Sequence, residues 1–189
     1  MIEKTKRLIS EINLIHAKFS EKYFNSHENE LEKINLSQTI NHVPVKYILD
    51  YRLNLHESIN DYLMKADVKD VYFLYRVKTA ESIEEKIKRY GEHQEKYPVN
   101  NWLNDIFGCR VILNRWQIKE ILTLLDDWKV EYGLKNWYQR DKDGYKGIHV
   151  YFKNQSNFYF PWELQIWDEN DVDSNIEVHE KYKRKFLER

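Results

Sequence analysis

The sequence predicts an α/β (α+β) fold: a mixed sheet of about five strands flanked by helices and preceded by an N-terminal helical segment. Three observations predict it. The first 66 residues contain no glycine and one proline, Pro44, and their apolar residues recur at helical spacing. From residue 70 onward, short runs rich in aromatic and β-branched residues alternate with amphipathic stretches. The 189 residues suffice for one compact domain. A single domain over 1–189 is therefore expected, with 1–66 helical and 67–189 carrying the sheet.

The elements follow in order. Ile9, Ile12, Ile15 and Phe19, then Leu31 and Ile34, then Ile48, Leu49 and Leu53 mark two to four helices, with a boundary near Pro44. Asp70 to Val77 reads as a strand. A helix starts around Ser82-Ile83-Glu84-Glu85, with a capping pattern offset by Thr79. Residues 91 to 104 read as a loop around Gly91 and Pro98. Asp105 to Leu113 is a buried strand, and Trp116 to Trp128 a helix. A strand near 130–135 leads into the charged stretch RDKDGYKGIH, followed by strands at 148–153 and 159–167 and a polar helix from Asp171. No repeat or low-complexity tract interrupts this order.

Composition narrows the class of protein. A hydrophobic share of 42% and a charged share of 32% fit a globular chain, not a disordered one. The formal net charge of −1 excludes a uniform basic field for coating nucleic acid, though not a local patch. The single cysteine, Cys109, excludes an internal disulfide framework and fits a reducing compartment. The N-terminal residues have no apolar run of signal-peptide length, and no stretch approaches a membrane span. A cytoplasmic protein with no membrane partner is expected.

Several residues could carry chemistry. Arg76 and Lys78 are two apart and share a face on a strand; Ser82 and Lys86 are four apart and share a face on a helix. A strand that runs into a helix N-terminus with cations on both sides suits an anion such as phosphate. The alternative is a solvated basic strand end. Asp105 and Glu163 are carboxylates at strand positions. Brought together, two such groups hold Mg²⁺ along with substrate phosphates. Glu163, Gln165 and Trp167 point to one side of their strand and Leu164 and Ile166 to the other, which places Glu163 and Gln165 on an open face. Gly144 and Gly147 flank Tyr145, and His149 follows. On a mobile loop the Tyr145 ring could stack on a base; the alternative is a hairpin turn with an exposed tyrosine. His179 and Lys183 lie one turn apart on the last helix, beside a polyanion or simply in solvent.

Taken together, these segments resemble the synthetase domain of the RelA/SpoT alarmone synthetases, above all the small single-domain members, over roughly residues 70 to 185. The motifs appear in order: Arg76, Lys78, Ser82 and Lys86; Asp105 and Arg110; Gly144, Tyr145 and His149; Glu163, Gln165 and Ile166; His179, Tyr182 and Lys183. The resemblance implies a nucleotidyltransferase-like fold. It implies that Arg76 stacks on the adenine of ATP while Lys78, Ser82 and Lys86 hold its phosphates. Asp105 is implied as a Mg²⁺ ligand, with Glu163 as the second acid, which also positions the acceptor hydroxyl or acts as base. Tyr145 is implied to stack on the acceptor guanine with Gly144 and Gln165 alongside, and His149 to contact acceptor phosphates. Arg110, His179 and Lys183 are implied as further phosphate contacts.

Three departures stand out. Gly147 replaces a family serine, Trp167 replaces a family arginine, and the stretch between Lys86 and Asp105 is long. No hydrolase domain precedes the motifs and no regulatory region follows them, so synthetase chemistry alone is expected. The implied reaction moves the β,γ-pyrophosphate of ATP to the 3′-hydroxyl of GDP or GTP. Loss of the arginine at 167 gives weight to a tRNA 3′ end as acceptor, as in toxic members with an antitoxin partner. Lys4, Lys6, Arg7 and Lys18 offer a tRNA some positive charge, but Glu3, Glu11 and Glu21 dilute it. A non-catalytic nucleotide-binding protein is the reading from another class. A homo-oligomer is left open.

Overall fold

The computed structural model describes residues 1–26, 33–68, 70–94 and 97–187, without the side chains of 91–94 and 182–187. Helix α1 (Ile2–Ser26) buries Ile9, Ile12, Ile15 and Phe19 along one stripe, as their spacing requires. Helix α2 (Val45–Lys65) begins directly after Pro44 and buries Tyr47, Ile48, Tyr51, Leu55 and Ile59. Leu53 faces outward, contrary to expectation, because the buried stripe runs through Tyr51 and Leu55. Leu31 lies outside the described residues.

Strand β1 is only Leu74–Val77. The expected strand from Asp70 is shortened because Val71 N bonds Val68 O in a turn and Lys4 and Arg7 of α1 hold Asp70. Helix α3 (Ala80–Gln94) starts two residues before Ser82, whose N–H donates to Thr79 Oγ1. The helix continues through Gly91 to Gln94, and a short helix α4 (Val99–Trp102) follows Pro98, so two parts of the expected loop at 91–104 are helical. Strand β2 (Phe107–Leu113) leads to helix α5 (Arg115–Glu131), which opens on a capping box between Asn114 and Gln117.

The strand expected at 130–135 begins later. Residues 130 and 131 finish α5, and Gly133, at φ 68°, reverses the chain into strand β3 (Leu134–Lys142). A two-residue turn follows, Asp143 at φ 55° and Gly144 at φ 83°, and strand β4 (Tyr145–Phe152) returns antiparallel. The segment expected as a mobile loop is thus a tight hairpin. Strand β5 (Trp162–Asp168) and helix α6 (Val172–Leu187) complete the chain.

The sheet order is β1-β2-β5-β4-β3, antiparallel throughout except for the parallel pair β2 and β5. The register sorts side chains by face, since cross-strand partners point the same way. Phe107 pairs with Trp162, Cys109 with Leu164 and Val111 with Ile166; Val150 pairs with Leu164 and Phe152 with Trp162. This face is the apolar one and joins a single cluster with the buried stripes of α1, α2 and α5. The other face carries Gly108 beside Glu163, Arg110 beside Gln165, Gln165 beside His149 and His149 beside Tyr138. Polar and aromatic groups gather there because every second residue of four strands is directed to that side. No helix of the described residues is long and apolar enough to cross a membrane.

Candidate active site

The donor half of the site stands where β1, β2 and β5 lie side by side. Arg76 on β1 pairs with Gly108 on β2, and Gly108 pairs with Glu163 on β5. Asp105 lies just ahead of β2. Its Oδ2 accepts from Lys78 Nζ at 2.8 Å and its Oδ1 from Lys86 Nζ at 3.0 Å. Lys78 comes from the chain just past β1, whose N–H bonds Ile106 O, and Lys86 from the second turn of α3. One nitrogen of Arg76, Nη2, lies 3.8 Å from Asp105 Oδ2 and 3.7 Å from Glu163 Oε2. Two acids 58 residues apart in sequence thus share one guanidinium.

Both acids are nearly enclosed, Asp105 at 8% exposure and Glu163 at 3%. Burial alone would raise their pKa values. Lys86, Lys78 and Arg76 outweigh it at Asp105 and hold that carboxyl well below its usual range. At Glu163 burial and the Asp105 charge oppose ionisation, while the His149 hydrogen bond and Arg76 favour it, and the result is a lowered value. Burial lowers the pKa of Lys78 despite Asp105.

The second half lies on β4, β5 and α6. Glu163 Oε1 accepts from Tyr151 Oη at 2.9 Å and lies 2.8 Å from His149 Nδ1; its Oε2 accepts from Gln165 Nε2 at 2.7 Å. Gln165 Oε1 in turn accepts from Arg110 Nε and Nη2 at 3.1 and 2.8 Å. Glu163 and Gln165, expected on an open face, are therefore covered by polar neighbours. Arg110 lies over the Trp167 ring at 3.5 Å, and burial lowers its pKa to about 10. Trp167 stacks on His179 of α6 at 5.7 Å.

Tyr145 is 5% exposed, not displayed on a loop. Its hydroxyl accepts from Trp167 Nε1 at 3.1 Å and meets His149 Nε2 at 3.0 Å, while the His179 ring meets its ring edge-on at 5.4 Å. Asn175 of α6 holds the adjoining strand by bonds to both Lys146 N and Lys146 O. Gly144, in the turn, lies against Val178. Ser82 is engaged by Thr79 and not by Asp105. The side chains of Tyr182 and Lys183 lie outside the described residues.

Three further residues belong to the site. Tyr151 follows His149 by two on the same strand, so the alternation that placed His149 also placed Tyr151 against Glu163. Tyr138, 43% exposed, stacks flat on the His149 ring at 4.9 Å; a hairpin in this register predicts that pairing. Arg52 of α2 donates to Lys78 O at 2.8 Å, a tertiary contact with no local signal.

Residues 75–186 match the family described as a region found in RelA / SpoT proteins. The chain belongs to the RelA/SpoT family. The matched span covers every site residue from Arg76 to Lys183, while α1 and α2 precede it. No curated protein matches the chain. Solved structures similar to this RelA/SpoT protein include small alarmone synthetase 1 from Bacillus subtilis bound to its product pppGpp, at 21% identity over 75% of this chain and 79% of that one, with a TM-score of 0.43. A GTP pyrophosphokinase family protein from Streptococcus pneumoniae matches at 22% identity over 74% of each chain, with a TM-score of 0.45. Small alarmone synthetase 2 from Bacillus subtilis matches at 24% identity over 77% and 79%, with a TM-score of 0.41.

Proposed function

We propose that this RelA/SpoT-family protein is an ATP-dependent pyrophosphokinase that moves the β,γ-pyrophosphate of ATP to the 3′-hydroxyl of GDP or GTP, releasing AMP. The observation that carries this reading is the convergence of Arg76, Lys78 and Lys86 on Asp105, with Glu163 within reach of the same Arg76 nitrogen. Phosphoryl-group transfer asks the protein mainly for position and charge neutralisation. Three cations and two acids in a nearly enclosed corner supply both.

Lys78 and Lys86 would exchange part of their hold on Asp105 for the phosphates of ATP, while Arg76 would turn to its adenine. The oxygen donors of the corner fit Mg²⁺, which takes one or two carboxylates together with phosphate oxygens. Of the two acids, Asp105 is bound among the described residues by flexible lysines and Arg76, whereas His149, Tyr151 and Gln165 engage Glu163. Asp105 is the ligand that would hold the ion, with Glu163 close by. When bound, Mg²⁺ would offset negative charge on the transferred group. Glu163 orders the acceptor side by fixing His149, Tyr151 and Gln165.

A second acceptor, the 3′ end of tRNA, is favoured by one observation: Trp167, buried beneath Arg110, offers no charge to a free nucleotide's phosphates. The test uses γ-labelled ATP and Mg²⁺ with GDP, GTP, AMP, ADP and bulk tRNA in separate reactions. Label in GDP or GTP, lost in Asp105→Asn and Glu163→Gln, supports the first reading, and label in tRNA the second. No AMP release with any acceptor overturns both and leaves a nucleotide-binding protein without turnover.

A further inference from the structure

Lys78 stands in the short joint between β1 and α3, and its backbone is fastened on both sides. Its N–H donates at 2.7 Å to the carbonyl of Ile106, the residue that follows Asp105. Its own carbonyl accepts from Arg52 Nε of α2 at 2.8 Å. The first bond sets the Lys78 backbone against the strand that brings in the acid. The second closes the joint from the other side, just ahead of the helix that carries Lys86. The two lysines that meet on Asp105 therefore leave the chain on either side of a joint that Arg52 holds.

Packing does not account for an arginine at this place. Ile48, Arg52, Leu55 and Ile59 recur at helical spacing, so Arg52 falls in line with buried aliphatic side chains of α2. An aliphatic residue there would extend the apolar cluster that holds the helix to the sheet. A guanidinium on that stripe must keep its charge in contact with water, and Arg52 is only half-buried. What it supplies, and an aliphatic residue cannot, is a donor that reaches a backbone carbonyl on another element. Arg52 also lies outside residues 75–186, the span that matches the family. Its bond thus ties the helical segment to the corner that the matched span builds.

We propose that Arg52 is a positioning residue for the donor nucleotide: by holding the Lys78 carbonyl it sets Lys78, and through the joint Lys86, at the spacing that the phosphates of ATP require. The proposal rests on the reading of this corner as the ATP site. Arg52 acts through the Lys78 backbone and not on the nucleotide itself. Displacing a phosphate-holding group by about 1 Å costs on the order of 100-fold in transfer, so a bond remote from the chemistry has a large lever. Helix α2 thereby takes a share in the reaction as well as in the core.

Two substitutions of matched length isolate the bond. Glutamine Nε2 and methionine Cε stand as many bonds from Cα as arginine Nε does. Arg52→Gln therefore keeps a donor at that place and deletes the charge, whereas Arg52→Met deletes both and suits the apolar stripe. Calorimetry on the folded variants measures binding of a non-hydrolysable ATP analogue with Mg²⁺ and, separately, of GDP. Arg52→Met should weaken the analogue by about tenfold, the worth of one hydrogen bond, and leave GDP within about twofold. Arg52→Gln should recover most of that loss. Unchanged analogue affinity in Arg52→Met overturns the proposal. So does an equal weakening of GDP, which marks a general loosening of the fold. Arg52→Gln as weak as Arg52→Met also overturns it, because the charge and not the bond would then be the cause. A wild type that binds no ATP analogue removes the reading of function and the proposal with it. A wild type that binds the analogue and labels GDP, with Arg52→Met unchanged, removes only the role of Arg52.

Discussion

Asp105 keeps its charge in a corner that excludes most water because three cations surround it. Its carboxyl is held far below the range of a free aspartate, so the ionised form stabilises the fold. For a lowered pKa this contribution is present above the unfolded value, near 4, and is lost as pH falls below it. Asp105→Asn should therefore be less stable than the wild type at pH 7, with the gap narrowing steadily from about pH 4 downward. Urea midpoints measured across pH check this; a gap independent of pH would contradict the assigned charge. At this scale the sequence was informative where local periodicity operates. Arg76 with Lys78, and Ser82 with Lys86, share faces by spacing, and three of the four reach Asp105 while Ser82 turns to Thr79. Tyr151 was readable by the same rule. Arg52 was not, because its partner, Lys78 O, is 26 residues away on another element.

The hairpin of β3 and β4 was legible only in part. Its outer strand has no apolar alternation because nearly all of its residues are exposed, so its charged run resembles a loop. The turn itself was readable: Asp-Gly between two strands is the sequence of a two-residue turn with both central residues at positive φ. Gly144→Ala should cost about 1–2 kcal/mol, the penalty for a side chain in the left-handed region, and lower the urea midpoint without changing its slope. Asp143→Gly should be neutral or mildly stabilising, since glycine accepts that φ freely. The burial of Tyr145 had no sequence signal. It depends on α6, which brings His179 against the ring and Asn175 onto the neighbouring backbone.

Across the whole molecule, one apolar cluster joins the N-terminal helices to the sheet that carries the site. Trp162 is its link: the ring stacks on Phe152 at 4.6 Å, and its Nε1 donates to Asn13 of α1 at 2.8 Å. Trp162→Ala should cost about 3–5 kcal/mol and lower Tm by roughly 10 °C, read by calorimetry. The next residue, Glu163, lies on the other face, so the same strand anchors the core and orders the site. Five strands and their order along the chain could be read from composition and spacing. Their order in space could not, because the parallel contact of β2 with β5 crosses α5, β3 and β4, and nothing local encodes a partner so far away.

That crossing has a consequence for synthesis. The middle strand of the sheet is the last of the five to leave the ribosome. Until Trp162–Asp168 emerges, β2 presents a bare inner edge to the cell, and Arg76 waits without its second acid. A nascent chain therefore lacks the completed corner of acids and cations, and keeps an unpaired strand edge open to mispairing, until β5 slides into the gap.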